Sequence, residues 1–301
     1  MNEAGNGDII AILKALHSNK SLKTICHGYS VGNPKVVIEQ VVTSGYAVSS
    51  LESYSLKIQP TFSKKSINQI MSMIVHSSAL KSLSFECSTF SSDSMRSLGD
   101  ALSQNPRLSS LSLKNIHRYH NNPAMTDEDF ETFFASLATN RNLKSLTIDV
   151  NIVSQGCIDR LVESLHHGFA LEALYYVGRT LIVPSMGGLF LQQSNLKCIK
   201  LGGGFSAGLY RSSRRWRIDF WSSIVENLLT RKNLEDLSII GTDIGDEGCK
   251  SIAEALVAND TLRSLDLSNN QISNAGASFM AKMLSTNSAL EELNLDDNDI
   301  S

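Results

Sequence analysis

Apolar residues recur along this chain in a fixed figure. The stretch from Leu262 to Ile272, LRSLDLSNNQI, sets leucines at 262, 265 and 267, an asparagine at 270 and an isoleucine at 272. The figure returns at Leu290 as LEELNLDDNDI. The same leading spacing begins at Leu234, Leu196, Leu171, Leu143, Leu108, Leu80, Leu51 and Leu22. Within each copy the apolar residues alternate with polar ones, the period of a strand buried on one face. Successive starts lie 29, 29, 28, 35, 28, 25, 38, 28 and 28 residues apart. Six of these nine intervals are 28 or 29, which marks an internal repeat.

A second apolar column predicts a helix in each repeat. Ten and six residues before the starts stand Ile12/Leu16, Ile70/Ile74, Leu98/Leu102, Phe133/Leu137, Leu161/Leu165, Met186/Phe190, Ile224/Leu228, Ile252/Leu256 and Met280/Leu284. Only Val41/Gly45 departs. Residues four apart share one helix face. Three residues before five of the starts stand Asn19, Asn105, Asn140, Asn259 and Asn287. Asparagine tolerates the left-handed backbone that ends a helix, so these are expected to be helix-ending residues.

A strand followed by a helix in a long repeat, and phrases such as IGDEGCKSIAEALVANDTLRSLDLSNN, resemble the ribonuclease-inhibitor-like (RNI-like) class of leucine-rich repeats. The resemblance covers essentially the whole chain and is strongest from Leu234 onward. It implies an α/β fold: a right-handed horseshoe solenoid of about ten repeats, with a parallel sheet on the concave side and helices outside. It also implies repeat domains of the kind found in intracellular immune receptors, actin-regulatory proteins and the Ran GTPase-activating protein. No single function follows, because function resides in sites carried by a fold.

The repeats predict one continuous domain over 1–301, since solenoid stability is built between neighbours. Residues 1–79 hold irregular repeats and 80–301 regular ones, with insertions near 115–128 and 202–217. In the first insertion, Thr126-Asp127-Glu128-Asp129 reads as a helix start with acids in its first turn. The second, GGGFSAGLYRSSRRWRIDFW, places Arg211, Arg214, Arg215 and Arg217 within seven residues, with Tyr210 and Trp216 among them. Trp221 falls in the helix column and is expected in the core. The chain ends at Ser301 just after a strand, which leaves Leu293, Leu295 and Ile300 without a covering layer. A fragment, a chain that associates through this edge and an unusual terminus all remain open.

Composition narrows the class. The 42% hydrophobic content is that of a soluble globular protein, and no apolar run approaches the roughly 20 residues of a membrane span. No secretory signal is visible at the N-terminus. Five scattered cysteines, Cys26, Cys87, Cys157, Cys198 and Cys249, argue against a disulfide framework and for the cytoplasm. The net charge of −3 hides an asymmetry. From residue 234 onward thirteen acids face three bases, a balance of −10, which leaves +7 on the first 233 residues (24 basic, 17 acidic). Such a gradient can orient a partner.

Candidate chemistry lies on the outward side of the strands. The middle outward position holds Cys26, Ser55, Ser84, Ser112, Thr147, Tyr175, Lys200, Ser238, Asp266 and Asn294. Lys197 and Arg263 flank it. Ten strands about 4.8 Å apart and about 16 Å long offer on the order of 700 Å², close to one partner's share of a standard interface. The expected partner-binding set is Tyr175, Lys197, Lys200, Tyr210, Arg211, Arg214, Arg215, Trp216, Arg217, Arg263, Asp266 and Asn294. Its aromatic and guanidinium groups suit an acidic, partly apolar protein surface.

Other chemistries find little support. His117 and His120 lack a third metal ligand. Gly202-Gly203-Gly204 has neither the ending nor the spacing of a phosphate-binding loop. Cys157 and Cys249 fall in a buried column with Met95 and Phe130. No catalytic pattern is recognisable, and no cofactor is expected. The expected function is therefore a non-catalytic protein-interaction scaffold. The alternative is a GTPase-activating regulator of a small GTPase, since an arginine loop can stabilise phosphoryl-transfer charge. The acidic C-terminal third counts against nucleic acid as a partner, and nothing points to a membrane.

Overall fold

The computed structural model describes residues 23–28, 52–58, 79–87, 92–117, 126–151, 155–166, 171–178, 195–203, 224–226, 228–230 and 233–301. The chain divides into two compact units, Met1–Asn151 and Ile152–Ser301.

The first unit holds β1 (Thr24–Gly28), β2 (Ser53–Ile58), β3 (Ser82–Cys87), α1 (Ser92–Gln104), β4 (Ser110–His117), α2 (Asp127–Leu137) and β5 (Ser145–Asn151). Its strands pair in sequence order, all parallel. The second holds α3 (Gln155–His166), β6 (Ala173–Gly178), β7 (Cys198–Gly202), β8 (Asp236–Ile240), α4 (Gly245–Leu256), β9 (Ser264–Asp266), α5 (Asn274–Leu284) and β10 (Glu292–Asn294). Residues 224–226 and 228–230 are helical as well. Strands β6 to β10 also pair in order and in parallel. Each unit is thus an α/β solenoid with one strand per repeat, as the periodicity predicts.

The register sets like on like. Leu83, Leu111 and Leu146 form one inward row, and Phe85, Leu113 and Ile148 the next. Leu174, Ile199, Leu237, Leu265 and Leu293 form the corresponding row of the second unit. All of these but Leu293 are buried. The helix column meets them from the other side, with Leu98, Leu102, Phe133, Leu137, Leu161, Leu165, Ile252 and Leu256 all buried. Each such side chain contributes roughly 1.5–3 kcal/mol by leaving water. A register slip of one residue would turn every inward row outward, so the pattern fixes the pairing.

In-register parallel strands also bring like positions side by side, where like charges would repel. The position after the leading leucine avoids this by alternating. It reads Lys23, Glu52, Lys81, Ser109, Lys144 in the first unit and Glu172, Lys197, Glu235, Arg263, Glu291 in the second. Glu52 accepts from Lys23 at 2.8 Å and Lys81 at 2.9 Å. These two ammonium groups hold its carboxyl down to about 2.

Two expectations need correction. The asparagines before the starts do not adopt the left-handed backbone, which in this region belongs to Asp243, Asn269, Gln271 and Asp297. The side chains of Asn140, Asn259 and Asn287 tie their repeats to the one before. Asn140 Nδ2 donates to the carbonyls of Leu102 and Asn105 at 3.3 and 3.2 Å, and Asn259 Nδ2 to that of Leu228 at 2.8 Å. Asn287 Nδ2 donates to those of Leu256 and Asn259 at 2.6 and 2.9 Å. Their Oδ1 atoms meanwhile accept from backbone two or three residues on. A dry carbonyl without a donor is costly, so these residues satisfy polar groups at the helix ends. Asn19 lies outside the described residues.

The second correction is Leu284, paired in the sequence with Met280. It is exposed, while Met280 and Met283 are buried. Leu256, its counterpart one repeat earlier, is covered by the layer whose Asn287 bonds its carbonyl. Leu284 belongs to the last described layer.

The first insertion resolves at both ends. Strand β4 carries a bulge between Leu113 and Ile116 where it pairs with β5, which absorbs extra chain at the strand's end. Thr126 caps α2 as expected. Its hydroxyl accepts from Asp129 N at 3.3 Å, and Asp129 Oδ2 accepts from Thr126 N at 2.8 Å.

Candidate functional site

The outward rows of the two units differ. In the first unit they are small: Ser53, Ser82, Ser110 and Ser145 in one row, Ser55, Ser84, Ser112 and Thr147 in the next. In the second, Tyr175, Lys200, Ser238, Asp266 and Asn294 stand in register across β6 to β10. Within each unit the middle outward column read from the sequence is therefore one physical row.

Four side chains on β6 to β8 form a connected cluster. Cys198 Sγ lies 3.4 Å from Tyr175 Oη and 3.2 Å from Asp236 Oδ2. Lys200 Nζ stands 3.4 Å from the same carboxylate oxygen and 5.7 Å from the centroid of the Tyr175 ring. A thiol has one proton, and a carboxylate only accepts. The thiol thus donates to Asp236 and accepts from the Tyr175 hydroxyl. Burial foremost, and the hydrogen bond to Asp236, push the Cys198 thiol up to about 11 against the opposing pull of Tyr175 and Lys200. The bond to Cys198, then burial, push the Tyr175 hydroxyl up to about 12. Both groups keep their protons at neutral pH, so the cluster is a fixed polar network rather than a nucleophile. Alkylation of Cys198 in the folded protein is expected to run about a hundredfold slower at neutral pH than that of an ordinary exposed thiol. Its rate should keep climbing with pH to about 11. Peptide mapping after timed iodoacetamide labelling measures this, and a plateau near the usual thiol range would contradict the network.

The structure places the expected residues unevenly. It brings Tyr175 and Lys200 together. Lys197 is exposed at the start of β7. Arg263 is already engaged, its Nη1 donating to Ala289 O at 2.8 Å and its Nε lying 3.8 Å from Glu291 Oε1. Asp266 is half-buried rather than exposed, and its Oδ1 accepts from Ser268 N at 2.9 Å. Asn294 Oδ1 accepts from Asp296 N at 2.9 Å. Tyr210, Arg211, Arg214, Arg215, Trp216, Arg217 and Trp221 lie outside the described residues. Cys157 and Cys249 are buried, as their column predicts. His117 ends β4, and His120 is outside the described residues. Among the described residues no three His, Cys, Asp or Glu side chains are grouped to hold a metal, and no helix is long and apolar enough to cross a membrane.

Sequence reasoning missed Cys198 and Asp236 as members of the site. Each stands two residues after a leading leucine, in one column, and aligning that column would have paired them. It also missed Val177 and Ile240, apolar residues on the outward face, where exposure rather than residue type is the signal.

Comparison with known proteins agrees with this architecture. A leucine-rich repeat family model matches residues 232–253 and 258–281. No curated protein sequence matches the chain. Among solved structures, a Bacteroides fragilis protein is similar at 14% identity with a TM-score of 0.55, covering 98% of this chain and 83% of its own. The tropomodulin C-terminal domain of Caenorhabditis elegans matches at 13% identity and TM-score 0.42, over 53% of this chain and 92% of that domain. A TLR13–ssRNA13 complex matches at 17% identity and TM-score 0.47, over 94% of this chain and 33% of that one. With its two matched repeats, its in-register parallel strands and its helix-backed leucine rows, the chain carries leucine-rich repeats and has the architecture of a leucine-rich repeat solenoid.

Proposed function

We propose that the chain is a non-enzymatic protein-interaction scaffold of the cytoplasm, and that the second unit engages its partner with the outward face of β6 to β10. The observation that carries this reading is the in-register row from Tyr175 to Asn294, polar and aromatic on its outward side and backed by a buried leucine row. Rigid backing holds such side chains in place, which lowers the ordering cost of binding. The 28-residue period, with a helix in each regular layer, supports the ribonuclease-inhibitor-like class for these repeats. The arginines that motivate a GTPase-activating role lie outside the described residues, and no observation on the described ones favours that role.

A photo-crosslinking residue at position 175 or 294 is expected to give discrete protein adducts in cells. One at Glu254, exposed on α4, is expected to give none. Adducts from position 254 alone would overturn the assignment of the face.

A further inference from the structure

At the C-terminal end of the same sheet, Val177 on β6 pairs in register with Gly202 on β7, and Gly202 with Ile240 on β8. Val177 is 41% exposed and Ile240 36% exposed, so two branched apolar side chains stand in water with a glycine between them. Neighbouring strands are about 4.8 Å apart, which puts the two side chains about 10 Å apart. That gap is the width of one further side chain.

Glycine is not required there by the backbone. The positive-φ glycines of the described chain are Gly241 and Gly245. Nor is it required by crowding. A Cβ on Gly202 would meet only Val177, at 3.5 and 3.9 Å, which is ordinary contact. A strand-interior glycine weakens its strand, and it often marks a place where another chain or ligand approaches closely.

The charge on this face is mostly negative. Strands β8 to β10 and the residues flanking them present Glu235, Asp236, Asp266, Glu291, Glu292 and Asp296 against Arg263, while β7 adds Lys197 and Lys200. Arg263 is engaged with Ala289 and Glu291. Lys200 offsets Asp236 alone.

We infer that this face binds an extended basic segment of a partner protein, with one aliphatic or aromatic side chain seated over Gly202 between Val177 and Ile240. The inference rests on the scaffold reading above and names the partner's chemistry. It reverses the acidic partner expected from the arginine loop, because the described part of the face is itself acidic. Asp266 on β9 is two strands from the notch at the level of Lys200, and Glu292 on β10 three strands away at the level of Cys198, about 12 and 20 Å from Gly202. An extended chain advances about 3.3 Å per residue, so the segment's Lys or Arg residues fall about four and six positions from the anchor.

Three short fluorescent peptides test this by anisotropy on the full chain. The first has a phenylalanine with arginines four and six residues on. The second replaces the arginines with glutamates, and the third replaces the phenylalanine with serine. The first should bind at least about tenfold more tightly than either other, and its affinity should fall with added salt. Gly202→Leu fills the notch and should weaken the first peptide at least about tenfold. Asp266→Asn keeps the acceptor for Ser268 N and should weaken the same peptide and flatten its salt dependence. Gly202→Ala, which the space admits, serves as the folding control, with a melting temperature no lower than that of the parent. Equal binding of the glutamate peptide, no binding of any peptide, or indifference to Gly202→Leu in a folded protein would each overturn the inference. Crosslinks from positions 175 and 294 persisting alongside such a result would leave the scaffold standing and remove only the partner chemistry.

Discussion

Asn270→Ala is expected to cost about 3–5 kcal/mol, the largest loss of any single polar substitution in the second unit. The side chain is fully buried. Its Oδ1 accepts from Thr242 N at 2.9 Å, Thr242 Oγ1 at 3.0 Å and Ile244 N at 3.5 Å. Its Nδ2 donates to the carbonyls of Ile239 and Ser268. Alanine removes the partner and leaves the partners' groups in a dry site. Each buried group so orphaned costs about 1–3 kcal/mol, with some relief from relaxation. Urea titration of the variant gives the value directly. Glu254→Ala, on an exposed helix position, should stay within about 0.5 kcal/mol. A loss below about 1 kcal/mol at Asn270 would mean that water enters the loop between β8 and α4.

Leu267→Ala comes next, at about 2–5 kcal/mol. Leu267 is fully buried one residue past β9, and its neighbour Asp266 is half-buried on the other face. Truncating the leucine opens a cavity that rigid layers on both sides cannot collapse. Asp266→Ala forfeits one hydrogen bond, that to Ser268 N, so its cost should be about 0.5–1.5 kcal/mol. The same titration compares the two. Equal losses would contradict the alternation of inward and outward residues.

The alternation itself was legible from residue types, because one face of each strand is dry and a slip of one residue would bury Asp266 in place of Leu265. The helix column was legible for the same reason down to Met280. Leu284 escaped, since a periodic apolar position reads alike whether or not another layer covers it. The asparagines were found but misread. A buried Asn bonding a neighbouring repeat and a left-handed Asn share one composition. Asn269 and Asn270 are adjacent and play the two different parts. The cluster of Tyr175, Cys198 and Asp236 joins residues 23 and 38 positions apart. Only the strand register brings these together.

Five buried or half-buried asparagines reach in one direction. Asn140 bonds backward to the layer of α1. Asn259, Asn270, Asn287 and Asn298 each donate to a carbonyl of the repeat before their own. A repeat can therefore satisfy its own asparagines as soon as its predecessor exists, without waiting for its successor. A chain leaving the ribosome N-terminus first meets its partners in that order. The ladder thus gives assembly a direction: each newly synthesised repeat docks on a finished template, and polar groups are sequestered in the order in which they are made.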